Sequence, residues 1–67
     1  MRIEVAKELK NSLNWAAVIE EIDQRIWFEE KKFRTCKPEE LVFLQAKVDA
    51  YESIKRIPQD VIDKETS

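Results

Sequence analysis

Hydrophobic residues recur at helical spacing along most of this chain, and in its second half they do so on two faces at once. Trp15, Ile19, Ile22, Ile26, Glu29 and Phe33 are separated by 4, 3, 4, 3 and 4 residues. That is an a/d seam of the coiled-coil kind, interrupted only by Glu29. It predicts a helix A over about 13–34, roughly 33 Å long at 1.5 Å per residue. Lys31, Lys32 and Arg34 fall in its last turns, where positive charge complements the helix dipole. Further on, Leu41, Leu44, Val48 and Tyr51 lie within roughly 80° of one another when placed at 100° per residue. Phe43, Ala46, Ala50, Ile54 and Ile57 form a second cluster on the far side of the same helix.

The joint between the two patterns is Thr35-Cys36-Lys37-Pro38-Glu39-Glu40. Pro38 suits the first position of a new helix, and Glu39 and Glu40 complement its positive end. Lys37 falls at the N-cap, where its side chain cannot accept as a Ser or Asp would. The second helix, B, is predicted over 38–57 and stopped by Pro58. Helices of similar length on a short connector imply an antiparallel αα-hairpin. Residues 1–12 are ambiguous. Ile3, Ala6, Leu9 and Leu13 suit a short helix, Ile3-Glu4-Val5 alternates as a strand would, and Asn11, Ser12 and Asn14 favour caps and turns. A short N-terminal helix or arm, broken near Asn11-Ser12, is the reading adopted. Pro58 can restart one turn with Val61 and Ile62, and 58–67 is expected to fray. The fold class is therefore all-α, one small helical domain over 1–67.

One stripe of helix B can be buried against helix A, so the intrachain seam is assigned to Trp15, Ile19, Ile22, Ile26, Phe33, Leu41, Leu44, Val48 and Tyr51. The other stripe then lacks cover. Trp27 and Phe28 add to it, since they sit opposite the helix A seam and each offers 150–250 Å² to bury. Two readings account for them: the N-terminal Ile3, Ala6 and Leu9 fold back over the rings, or another molecule does. The second assigns Trp27, Phe28, Phe43, Ala46, Ala50, Ile54 and Ile57 to a partner or oligomer interface. Burying such side chains gains roughly 1.5–3 kcal/mol each, and 67 residues is near the lower limit for one core to hold a chain folded. Assembly into an oligomeric helical bundle is the expected outcome.

Composition narrows the chemistry. The chain has no Gly and no His, so it offers neither a glycine-rich phosphate loop nor the usual general base near neutral pH. Neighbouring carboxylates at Glu20-Glu21, Glu29-Glu30 and Glu39-Glu40 diverge by 100° on a helix and do not converge on a substrate. Cys36, the single cysteine, excludes an internal disulfide and leaves no metal-ligand spacing. As a reactive thiol before a helix start it has a physical rationale, but a small joint residue is the simpler reading. Lys31, Lys32, Arg34 and Lys37 with Phe33 could touch phosphate, yet dipole compensation explains them, and a net charge of −2 gives no general attraction to nucleic acid. No enzyme activity, cofactor, metal, small-molecule substrate or nucleic-acid partner is expected. No apolar run approaches the roughly 20 residues of a membrane span, and Met1-Arg2-Ile3-Glu4-Val5 holds no signal-peptide core.

Four stretches carry a resemblance: Glu21-Ile22-Asp23-Gln24-Arg25-Ile26, then Thr35-Cys36-Lys37-Pro38-Glu39-Glu40-Leu41, then Leu44-Gln45-Ala46-Lys47-Val48-Asp49-Ala50, then Arg56-Ile57-Pro58. Over 20–58 the chain resembles small uncharacterised helical-hairpin proteins of tailed bacteriophages. Those proteins usually read Ser-Pro-Glu-Glu-Leu at the joint and Leu-Gln-Gly in the second helix. Lys37 and Ala46 stand here at the Ser and Gly positions. The resemblance implies a self-associating virion or assembly accessory protein, with a small binder that inhibits or redirects a host protein as the alternative. The single cysteine makes a reducing cytosol the natural compartment; with the resemblance, that becomes the cytoplasm of a bacterial host, or the virion, and the resemblance supplies no active-site residues.

Overall fold

The structure is a computed structural model and describes residues 1–66. Four helices follow in chain order: α1 Ile3–Lys10, α2 Leu13–Lys31, α3 Pro38–Lys55 and α4 Ile57–Thr66, with a 3-10 turn over Lys32–Arg34. No strand occurs among the described residues. The all-α class stated from the hydrophobic pattern is what the described residues adopt, with four helices among them.

Each helix boundary has a local cause. The Ser12 hydroxyl accepts from the backbone N–H of Asn14 at 3.1 Å and of Trp15 at 3.4 Å, which caps the start of α2. The Asn11 amide donates to the Lys7 carbonyl at 3.0 Å and closes α1. At the far end of α2 the helix tightens, and the Lys32 carbonyl accepts from the N–H of both Thr35 and Cys36, at 3.2 and 2.9 Å. Pro38 opens α3 at a position whose N–H would have no partner in any case. Lys37 caps it without its side chain: the Lys37 N–H reaches the Glu40 carboxylate at 3.5 Å.

Helices α2 and α3 pack along each other and run in opposite directions, since Asp23 meets Lys55 at 2.5 Å while Glu29 approaches Lys47 at 4.0 Å. Helices α1 and α4 pack on each other, and there Lys10 donates to the Gln59 side chain. The chain is two long arms, α1–α2 and α3–α4, each broken once, at Asn11-Ser12 and at Arg56.

The arms form a single layer. Helix α1 packs on α4 and α2 on α3, with no contact between α1 and α3 or between α2 and α4 among the described residues, and the backbone extends over 44 × 26 × 12 Å. Its radius of gyration is 14.7 Å, against about 11 Å for a compact domain of this length. Ala6, Ile22, Ile26, Leu44 and Pro58 are the buried residues among those described.

Three sequence expectations need correction. Residues 58–66 do not fray: they continue α4, Pro58 is fully buried, and Thr66 bonds back to the Ile62 carbonyl at 2.8 Å. Ser67, also placed in the frayed tail, lies outside the described residues. Pro58 stands at the second position of α4, where it needs no N–H, and the first helical bond runs from Asp60 N–H to the Arg56 carbonyl at 2.8 Å. Helix B therefore ends at Lys55 and not at 57, because the proline ring is incompatible with the carbonyl four residues earlier. Helix A is α-helical only to Lys31 before the 3-10 turn. The placement of α4 also decides what α1 covers, since Ala6 is completely buried in the end where α1 meets α4.

Ala6→Asp puts an unpaired charge in that contact. Amide hydrogen exchange should then accelerate in 57–66 as well as in 3–10. Acceleration confined to 3–10 would contradict the packing of α4 on α1.

Candidate interaction surfaces

Because the layer is one helix thick, each residue of α2 and α3 points into the seam, toward one of two broad faces, or outward from an edge. Of the assigned seam, Ile22, Ile26 and Leu44 are buried, Trp15, Ile19, Phe33, Val48 and Tyr51 are half-buried, and Leu41 is 37% exposed. Helical angles around the antiparallel pair divide the remaining positions. Val18, Glu21, Arg25 and Phe28 of α2, with Lys32 directly after it, share a face with Glu40, Phe43, Lys47, Ala50 and Ile54 of α3. Glu20, Asp23, Trp27 and Glu30 share the opposite face with Val42, Gln45, Asp49 and Glu52. The ion pairs agree with this division. Glu29 is flanked by Lys32 at 3.6 Å and Lys47 at 4.0 Å on the first face, and Lys55 by Asp23 at 2.5 Å and Glu52 at 3.8 Å on the second.

The faces differ in character. On the Phe43 face, Arg25, Lys32 and Lys47 balance Glu21, Glu29 and Glu40. Phe43 is 72% exposed, Phe28 56%, and Ile54 40%. Ala46 and Ala50 are exposed between Phe43 and Ile54. The opposite face is acidic: Glu20, Asp23, Glu30, Asp49 and Glu52 outnumber Lys31, Arg34 and Lys55. Its exposed apolar residues are Trp27 at 56% and Val42 at 69%.

Two polar features tie the helices into register. Glu29, the residue that interrupts the seam, keeps a side chain only 13% exposed and bridges a lysine from each helix. Its Oε2 is buried without a hydrogen bond; the Lys47 ammonium lies 4.0 Å from it, and that of Lys32 lies 3.6 Å from Oε1 of the same carboxylate. Lys55 donates to Asp23 across the seam. That hydrogen bond, helped by the charges of Asp23 and Glu52 and opposed by desolvation, holds the Lys55 ammonium above the usual lysine range.

The structure sets aside one of the two readings of Trp27 and Phe28, the N-terminal fold-back. Ile3, Ala6 and Leu9 belong to α1, which packs on α4, and the rings stay open to solvent. Their centroids lie 5.4 Å apart in an edge-to-face contact, and the Lys31 ammonium sits 4.2 Å from the Trp27 centroid. Of the seven residues assigned to a partner interface, Phe28, Phe43, Ala50 and Ile54 come together on one face, with Ala46 at its outer edge. Trp27 lies toward the other face. Ile57 is 41% exposed and begins α4, so it does not continue the α3 stripe.

The seven omit Val18, Val42 and Leu13, which are 45%, 69% and 87% exposed. A helical wheel of α2 and α3 drawn as an antiparallel pair brings out the first two, and nothing in the local pattern singles out Leu13. Cys36 is half-buried, and its thiol reaches the Phe33 carbonyl at 3.5 Å. The joint carries two open depressions. One of about 350 Å³ is lined by Lys32, Thr35, Cys36, Glu40, Phe43 and Leu44, and one of about 550 Å³ by Trp27, Glu30, Lys31, Arg34 and Thr35. Among the described residues, no group of three or more His, Cys, Asp or Glu could hold a metal ion, and no helix is long and apolar enough to cross a membrane. No protein-family model matches the chain, and no curated protein or solved structure matches it.

Lys55→Gln tests the cross-helix pair. An exposed or partly exposed ion pair contributes about 0.2–1 kcal/mol, so the variant should be less stable by that order in urea titrations at pH 7. The wild-type advantage rests on a folded-state pKa above the unfolded one. It is complete below the ordinary lysine value of about 10.4 and disappears as pH rises through the higher folded value. A stability difference that persists unchanged beyond that range would refute the pairing.

Proposed function

We propose that this chain is a non-enzymatic helical interaction module that associates with itself through a broad face of the α2–α3 hairpin. The single observation that carries the reading is surface. The folded chain exposes 5446 Å², whereas a compact monomer of its mass exposes about 4,450 Å². The excess of about 1,000 Å² is close to the roughly 800 Å² that each partner buries in a standard interface. Much of it is apolar: Phe43, Val42, Trp27 and Phe28 are each more than half exposed.

The resemblance of 20–58 to small phage proteins suggests a setting for such a module, in a virion or its assembly. A second reading, a binder that inhibits or redirects a host protein, is favoured by one feature: Trp27 and Phe28 form a solvent-open aromatic pair of the kind that anchors heterologous contacts.

Light scattering behind size exclusion distinguishes the two. Self-association predicts a mass above the 8.0 kDa of one chain at micromolar concentration, falling on dilution. A folded monomer at every concentration tested would overturn it. Capture of a single host protein from lysate, lost with Trp27→Ala, would establish the second reading in its place.

A further inference from the structure

Self-association leaves open which face is used and with what symmetry. Resting on that reading, we infer that the Phe43 face binds the same face of a second copy about a twofold axis, closing an antiparallel four-helix bundle.

Charge selects the face. In a twofold contact each patch meets itself. Two acidic faces brought together would oppose Glu20, Asp23, Glu30, Asp49 and Glu52 to the same five residues, with three bases, Lys31, Arg34 and Lys55, from each copy to offset them. Like charges placed together cost stability in any buried contact. The Phe43 face carries equal numbers of acids and bases, and its Glu21–Arg25 pair, at 3.5 Å, is already internally compensated. It meets itself without net repulsion.

Shape selects the register. Along α3, Phe43 and Ile54 flank exposed Ala46 and Ala50. The small Ala50 near the centre leaves room for the Lys47 stem of the other copy, and the large residues at the ends fill the space the crossing leaves. An antiparallel α3–α3 crossing centred between Val48 and Asp49 sets Phe43 of one copy against Ile54 of the other, and Lys47 against Ala50. On α2 and directly after it, Val18, Glu21, Arg25, Phe28 and Lys32 recur at 3, 4, 3 and 4 residues, the spacing of a second helix–helix seam. One such contact, at about 800 Å² per copy, removes most of the excess surface of each chain. It converts the one-layer molecule into the two-layer architecture that a stable core requires.

The test uses adjacent residues of α3 that point to opposite faces and are equally open, Phe43 at 72% and Val42 at 69% exposed. The full chain and its Phe43→Glu and Val42→Glu variants are compared by sedimentation equilibrium. Wild type and Val42→Glu should sediment as dimers, and Phe43→Glu should dissociate at least tenfold more readily. A monomeric wild type overturns both this inference and the self-association beneath it. A dimer that Val42→Glu disrupts and Phe43→Glu does not keeps self-association and overturns the choice of face. A wild-type mass that grows past the dimer with concentration overturns the twofold symmetry, because a face-to-opposite-face contact does not close.

A second measurement covers the case in which Phe43→Glu fails to fold. In a Cys36→Ser background, Ala50→Cys should form an intermolecular disulfide under mild oxidant, because the register above brings the two copies of residue 50 near the axis. Asp49→Cys, on the acidic face, should stay reduced. The reverse pattern, or no cross-link at Ala50→Cys in a dimeric sample, refutes the geometry.

Discussion

Thickness governs this molecule. A helix buries the stripe it turns toward a neighbour, and a stable core needs two packed layers to cover the remaining sides. Here the helices lie in one layer, α1 packed on α4 and α2 on α3 with no contact across the pairs between α1 and α3 or between α2 and α4 among the described residues, so each can hide only the side facing its partner in that layer. The consequence is visible in the burial: Ile22, Ile26 and Leu44 are enclosed along α2 and α3, and Ala6 and Pro58 at the α1–α4 end. Everything else apolar is shared with solvent. The large residues at Phe28, Phe43 and Ile54 are exposed because nothing in the chain is left to lie over them.

The polar contacts make sense within that geometry. An apolar seam this short specifies register weakly, since sliding one helix along the other by a turn exchanges one aliphatic contact for another. Glu29 and the Asp23–Lys55 pair oppose such sliding. Each places a charge from one helix against a charge from the other at a fixed level, 4.0 Å for Glu29–Lys47 and 2.5 Å for Asp23–Lys55. Their net contribution to stability is small. Their contribution to a single alignment is larger, because a slipped arrangement would leave the Glu29 carboxylate, 13% exposed, without a cation from α3.

The hydrophobic period was enough to locate α2 and α3, because Ile19, Ile22 and Ile26 repeat at the spacing of a helix face and the Lys37-Pro38 step leaves only one place for a new helix to begin. It was not enough for the end of the chain. Pro58 reads locally as a terminator, and Val61 and Ile62 are too few to announce a helix by period. Helix α4 exists because α1 is there to pack on it, a tertiary partner 50 residues away that no local window contains. The same partner explains why Ile3, Ala6 and Leu9 do not cover Trp27. The exposed cluster on α3 could be found one helix at a time. Its division from Trp27, and the acidic character of the second face, appeared only once the two helices were set side by side.

If the chain completes its core with another molecule of itself, its folding must be linked to its concentration, because a partner that binds only the folded form adds to stability by mass action. The most direct measurement is the thermal unfolding midpoint, followed by helix dichroism over about a hundredfold range of protein concentration. The account predicts a midpoint that climbs steadily as concentration rises. A cooperative transition at one fixed temperature throughout would show that a single layer of helices suffices, and would contradict the claim that this surface is made to be covered.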